Sequence, residues 1–362
     1  MRWSHQQKRS VNVMKPGASP GGTLTADQER VGRRPVVMVH VGLDLSRTRL
    51  DVHVMDEAGA PLAVTTAVPD RGGLAVLAER IGGFGGPVYA AIESMNGARF
   101  VHDQLELAGW QVEIADAQKV KGLAPLACKT DKIDSWVLAE LSRRDLVPAI
   151  WLPTPTVRAE REQARWRLHL VRHRTALKNR IHATLLAFGH PCPVADLFGV
   201  GGRELLARLE LPEPWAADTA AALQLIDQLD TEITTCERAL RRLGADHRYV
   251  PLLMTTPGVG WVLGYTIAAE IGDITRFPSP TKLAGYTGLC PRVYQSGGKD
   301  HRGPLSKNGP KYLRWALIEA ATHAGRHPVY AERYRRTKTR LGRQRGPKIA
   351  QVDLARRLAE AI

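Results

Sequence analysis

Five short apolar runs mark the first half of the chain, at residues 36–43 (VVMVHVGL), 50–55, 62–68, 88–92 and 110–114. Each has the length and β-branched content of a strand. Segments with apolar residues at helical spacing lie among and after them, at 72–81, 97–108 and 131–143. Three closely spaced strands followed by alternating strands and helices predict a mixed sheet with helices on its faces over residues 36–150. Residues 1–35 mix Lys, Arg, Gly, Pro and Ser without periodicity and are expected to form a disordered basic leader.

The second half has a different pattern. Trp151-Leu152-Pro153-Thr154-Pro155 breaks the chain, and residues 156–189 then read as a single helix of about 50 Å at 1.5 Å per residue. A second long helix is expected over 219–243, where Ile226, Leu229, Ile233, Cys236, Leu240 and Leu243 recur at the spacing of a coiled-coil seam. Residues 151–249 are therefore expected to be a helical coiled-coil linker. Beyond it, Thr256-Pro257-Gly258-Val259-Gly260 opens a helix over 261–271, in the manner of a helix-hairpin-helix loop. It begins a mainly α domain over 250–325, and a basic segment over 326–362 follows.

Two strands stop near an acid. Asp44 follows the run 36–43 and Glu93 follows 88–92, where the carboxyl ends of parallel strands gather ligand sites. Asp131 and Asp134 stand three apart at the head of the helix 131–143, so they share one face. Taken singly, each acid is an ordinary cap or surface group, Asp131 as a helix N-cap and Glu93 before the turn-like Ser94-Met95-Asn96-Gly97. Taken together, the four make an all-oxygen donor set for a hard cation, Mg²⁺ or Mn²⁺, of the kind that clamps a phosphodiester.

Charge changes the picture further. The net charge of +15 is uneven: residues 36–150 carry 11 basic against 15 acidic side chains, and residues 151–362 carry 33 against 19. An acidic block flanked by basic segments fits a polyanionic partner, although a charge run is usually a solvated face. The helix 156–189 holds Arg158, Arg161, Arg165, Arg167, Arg172, Arg174, Lys178 and Arg180 against Glu160 and Glu162, and Arg165, Arg172 and Lys178 are expected to meet phosphate. So are Arg292, Lys299, Arg302, Lys307 and Lys311 in the Gly-rich stretch after 288. Ser296, in Ser-Gly-Gly, reads first as a turn former, but those cations would also suit a nucleophile attacking phosphate. The four cysteines show no C-x-x-C spacing and argue against a disulfide framework or zinc. No run approaches the roughly 20 apolar residues of a membrane span, and no signal-peptide core is visible, so a cytoplasmic protein is expected.

The motifs VGLDLS, AAIES and KTDKID, then PGVG and RFPSPTKLAGYTGLCPRVYQSGGKDHRGPLSKNGPKYLRWAL, give the chain its resemblance to the DEDD transposases of the IS-110 family of bacterial insertion sequences. That resemblance implies a RuvC/ribonuclease-H-like first domain with Asp44, Glu93, Asp131 and Asp134 as its metal-binding tetrad, and Ser296 as the serine that attacks DNA. It also implies double-stranded DNA as substrate, both element ends and target, a structured noncoding guide RNA, and a homo-oligomer, dimer or tetramer, paired through the helical linker. Ser135 stands where the family often has Ala, and Pro310 where a small polar residue is usual; the leader is longer than the family's. One rival reading is a RuvC-like nuclease using metal-activated water, for which Ser296 is dispensable. Another is a non-enzymatic nucleic-acid scaffold whose acids only cap helices.

Overall fold

The computed structural model describes residues 38–123, 131–190, 192 and 194–362, with the backbone alone of Asp131 and Lys132. The leader 1–35 and Lys129-Thr130 lie outside the described residues. The chain divides into two compact units, one ending at Trp151 and one beginning at Leu152.

The first unit is built on a five-stranded sheet of β1 (Val39–Leu45), β2 (Leu50–Met55), β3 (Pro61–Ala67), β4 (Val88–Glu93) and β5 (Gln111–Ala115). Its order is β3-β2-β1-β4-β5. The first three strands form an antiparallel meander, while β4 joins β1 and β5 joins β4 in parallel. This strand order is consistent with a RuvC-like domain. Central β1 is covered on both faces: Val39, Val41 and Leu43 have no exposed surface on one, and His40 and Gly42 are buried on the other. The helices are α1 (Arg71–Gly82), α2 (Ala98–Leu107), α3 (Ala117–Leu123) and α4 (Asp131–Arg143). The short α3 was not expected, because it buries no residue and so leaves no apolar period to read. β1 also runs two residues past the apolar stretch, which puts Asp44 inside the strand.

The second unit is helix-rich, and together the units make a mixed α/β protein. It comprises α5 (Pro155–Ala187), α6 (Val200–Arg208), α7 (Trp215–Ala245), α8 (Val250–Leu253), α9 (Trp261–Ile271), α10 (Pro280–Tyr286), the hairpin β6 (Pro291–Ser296) and β7 (Lys299–Leu305), α11 (Lys311–Ala324) and α12 (Pro328–Ala361). Thr154 caps α5 by accepting from Val157 N–H, with Pro155 at the first helical position, so the same residues that break the preceding chain start the helix.

The seam on α7 is occupied, at least in part, within the chain. Ion pairs Arg180–Asp218, Arg174–Asp230 and Arg167–Glu237 match rising positions on α5 to falling ones on α7, so the two helices lie antiparallel. Ile226, Ile233 and Leu240 are buried, whereas Leu243 is exposed. A long helix pair packed in one chain carries the same periodicity as a pair between chains, so the seam does not by itself call for a second protomer.

The main core of this unit joins Ala164 of α5, Leu240 of α7, Ile267 of α9, Leu313 and Leu317 of α11, and Leu354 and Leu358 of α12. The segment expected as a separate basic stretch is therefore helical on both sides of a kink at Gly342, and the run beyond the kink belongs to that core. Ala350, Leu354, Ala355, Leu358 and Ala359 repeat at helical spacing, but the basic residues that precede them dominate the sequence. Pro257-Gly258 precedes α9, which starts at Trp261 with Gly260 as its N-cap. Gly258 lies in the left-handed region, and a Cβ there would meet the Ala320 carbonyl oxygen at 2.2 Å. That glycine serves close packing of the loop on α11.

Candidate functional site

The acids of the first unit gather at one edge of the sheet because of strand register. β1 and β4 are parallel with Leu43 opposite Ile92, so the next residues, Asp44 and Glu93, stand side by side. Side chains alternate between faces along a strand. Asp44 therefore shares the face of Gly42, and Glu93 that of Ala91. That face is the one α4 covers: a Cβ on Gly42 would lie 1.8 Å from the Ser135 carbonyl oxygen and 2.4 Å from the Ala139 nitrogen, and Ala91 packs on Leu138. Further along α4, Ser142 lies beside His40, with Oγ 3.3 Å from Nδ1. The helix thus runs antiparallel to β1, and its first turn, bearing Asp131 and Asp134, reaches the end where Asp44 and Glu93 stand. Asp44, Glu93 and Asp134 are half-buried, and the Asp131 side chain lies outside the described residues.

Backbone placement brings the tetrad to one edge and one face. Among the described residues, however, no three His, Cys, Asp or Glu side chains close tightly enough to hold an ion as they stand. In donor chemistry the set fits a hard divalent cation: all carboxylate oxygen, with no softer ligand.

One further acid belongs to this edge. Asp51 stands directly opposite Asp44 in the β1–β2 ladder, is 7% exposed, and accepts from Arg49 Nε at 2.8 Å. The signal was present in the sequence as an acid inside the apolar run LDVHVM, since unpaired acids are rarely buried. The far end of α4 is pinned independently. Arg143 donates to both Glu140 oxygens at 2.7 Å and to the Glu57 carbonyl oxygen in the β2–β3 turn. The hydrogen bond from Arg143, with help from Arg144 and against the effect of burial, holds the Glu140 carboxyl down to about 2.

Ser296 ends β6 at the tip of an exposed hairpin. Gly297 and Gly298 both have positive φ, the conformation a tight two-residue turn between twisted strands requires. The turn sets Ser296 opposite Lys299, and one step back Tyr294 faces His301, so Lys299, Tyr294 and His301 share its face. Arg302 is registered with Val293 on the other face, where it pairs with Asp300 at 3.0 Å. Of the cations expected around the serine, Lys299 is its immediate neighbour. Arg292 lies near the hairpin base against Gly303, Lys307 is exposed just beyond β7, and Lys311 opens α11. Tyr294 and His301 went unnoticed because nothing in the sequence marks a strand that buries none of its residues.

Partners divide the cations of α5 into two groups. Arg165 donates to both oxygens of Glu270 at 2.7 and 3.0 Å, and Arg161 donates to the carbonyl oxygens of Ala269 and Glu270. Glu270 is fully buried, so this arginine pair holds α9 to α5. The geometry gives Arg165, expected at a phosphate, a structural partner instead. Arg172 and Lys178 face rings, Tyr312 at 5.6 Å and Phe198 at 4.6 Å. Arg172 also lines a groove of about 630 Å³ with Asn179, Val262, Trp315 and Glu319. No helix among the described residues is long and apolar enough to cross a membrane.

Comparison with known proteins covers both units. Residues 41–190 match a transposase model of the DEDD, IS110 type, and residues 250–336 match the transposase IS116/IS110/IS902 family. The transposase for insertion sequence element IS1328 of Yersinia enterocolitica is 31% identical over 78% of this chain and 82% of its own length. A probable family 20 transposase of Pseudomonas aeruginosa is 28% identical over 65% of this chain and 70% of its own. The pilin gene-inverting protein of Moraxella bovis is 34% identical over 36% of this chain and 39% of its own.

Proposed function

The chain belongs to the IS110 family of DEDD transposases and is a DNA transposase, and from that premise we propose that it cuts and rejoins DNA through a phosphoserine link formed by Ser296, in concert with metal held by Asp44, Glu93, Asp131 and Asp134. The observation that carries the reading is the convergence of the two strand-end acids and the first turn of α4 on one edge of the sheet. A divalent ion bound there supplies a positive centre for the charge of a phosphate in displacement.

The chain's own groups would act as follows. Ser296 Oγ attacks phosphorus, an Oγ–P bond forms, and the P–O3′ bond breaks. The hydroxyl proton passes to solvent and the departing 3′ oxygen takes one up. Lys299, opposite the serine in the ladder, would hold a phosphate oxygen. Rejoining reverses these steps with a new 3′-hydroxyl, so the energy of the cut bond is kept in the phosphoserine. The gene-inverting relative supports rejoining over plain hydrolysis, because inversion requires that cut ends be resealed.

A guide RNA, and a multimer that pairs element ends with target, complete the proposal. The exposed cations of the hairpin, together with Arg172 and Lys178, support nucleic-acid contact over both helices and loop. The test is capture of a covalent protein–DNA adduct with wild type, Ser296→Ala and Asp44→Asn. Adduct with wild type alone is the expected outcome. Cleavage that survives in Ser296→Ala would hand the chemistry to metal-activated water, and cleavage by folded Asp44→Asn would remove the metal.

A further inference from the structure

The acidic edge contains a cation of its own. Ser46 and Arg49 close the β1–β2 turn, with Ser46 N–H donating to the Arg49 carbonyl oxygen at 2.8 Å and Arg49 N–H to Ser46 Oγ at 3.1 Å. Two steps into the ladder stand Asp44 and Asp51, directly opposed. By the strand alternation, Arg49, Asp51 and Asp44 lie on a single face, the one beneath α4. Arg49 is diagonal to Asp44, a separation that long side chains bridge. Its Nε already lies 2.8 Å from an Asp51 oxygen, although the arginine side chain is 53% exposed and the Asp51 side chain only 9%.

Opposed like charges in a ladder repel, and burial of one of them sharpens the repulsion. We propose that Arg49, oriented by Asp51, is the resident counter-cation of this edge: it neutralises the Asp44 and Asp51 charges in the ion-free protein and must yield when a divalent ion loads. The Arg49–Asp51 pair then sets the ion concentration at which the site fills. Arg49 is in this sense a positioning residue that competes with the ion, and Asp51 both anchors that competitor and adds to the negative field. This rests on the metal reading above and goes beyond the tetrad.

Loss of the two partners should move ion affinity in opposite directions. In the full-length chain, Mn²⁺ binding would be measured by isothermal titration and by the rise in melting temperature it produces, with no reliance on cleavage. Arg49→Gln should tighten Mn²⁺ binding by about tenfold and enlarge the Mn²⁺-induced rise in melting temperature. Arg49→Lys, which keeps the charge, should stay near wild type. Asp51→Asn should weaken binding by a similar factor, and Asp51→Glu should recover part of it. Asp44→Asn serves as the control for the underlying reading: if wild type and Asp44→Asn respond to Mn²⁺ alike, the metal site itself fails, and this inference with it. If Asp44→Asn loses the response while Arg49→Gln binds no tighter than wild type, the site stands and the counter-cation is refuted.

Discussion

Gly42→Ala places a methyl group where the sheet and α4 meet most closely. The added carbon would lie 1.8 Å from the Ser135 carbonyl oxygen and 2.4 Å from the Ala139 nitrogen, both backbone atoms that cannot rotate away. Ordinary contact needs about 3.5 Å, so α4 must recede by roughly 1.5 Å over its first two turns. Overpacking of this kind costs about 2–3 kcal/mol, which raises hydrogen exchange of the α4 amides by roughly 30- to 150-fold where local opening governs it. The same displacement carries Asp131 and Asp134 away from Asp44 and Glu93, and a misplacement of about 1 Å at reacting groups costs on the order of 100-fold in rate. The assays are hydrogen exchange of α4 and cleavage of a double-stranded element end, with Gly82→Ala as control because a Cβ at Gly82 meets nothing within 4 Å. Unchanged α4 exchange and full cleavage in Gly42→Ala would refute the seating of α4 on β1, and with it the route by which the acids converge.

Other outcomes follow from the same geometry. Glu270→Gln leaves the arginines that clasp it facing a neutral amide in a buried site and should destabilise the second unit by about 3–5 kcal/mol, read as a lowered melting temperature; a loss under about 1 kcal/mol would deny the pair a structural role. Glu140, held at about 2 against an ordinary 4.5, contributes stability that is complete above 4.5 and fades as pH falls toward 2. Wild type and Glu140→Gln should therefore differ in urea midpoint at pH 7 and converge near pH 2, and a constant gap would count against the Arg143 bond as its cause. Replacing Arg172 and Lys178 with Gln should reduce the salt slope of nucleic-acid binding by about two, whereas Arg165→Gln should lower stability and leave the slope alone. Mixed oligomers of Asp44→Asn and Ser296→Ala chains regain cleavage if acids and serine of one site come from different protomers, and stay inert if both come from one.

What the sequence discloses depends on how far apart the cooperating residues lie. The sheet was legible because β1, β2 and β4 are apolar runs of strand length, and the acids because each sits at the end of such a run or on a helical spacing. Asp51 was hidden by its strand: its pairing with Asp44 exists only once β1 and β2 are in register. The density of arginine on α5 was visible, but its purpose was not, since Glu270 lies 105 residues from Arg165 and the partners on α7 lie 38 to 70 residues away. The hairpin of Ser296 escaped because a two-stranded ribbon that buries none of its residues leaves no hydrophobic alternation. The seam on α7 was correctly periodic, yet periodicity cannot say whether the partner helix is in the same chain.

The return of α12 to the core governs when each half of the protein can exist during its own synthesis. The sheet and α4 are complete once Trp151 has been made, whereas the core that Ala164 begins stays open until Leu354 and Leu358 arrive. At about 5–20 residues per second, the acid-bearing unit is ready some 10 to 40 seconds before the serine-bearing one can close. A growing chain thus holds its carboxylates in place while Ser296 still rides on an unfinished scaffold. A stop codon between Ser296 and Leu354 makes that delay permanent: Ser296 is translated, but the scaffold that presents it never closes.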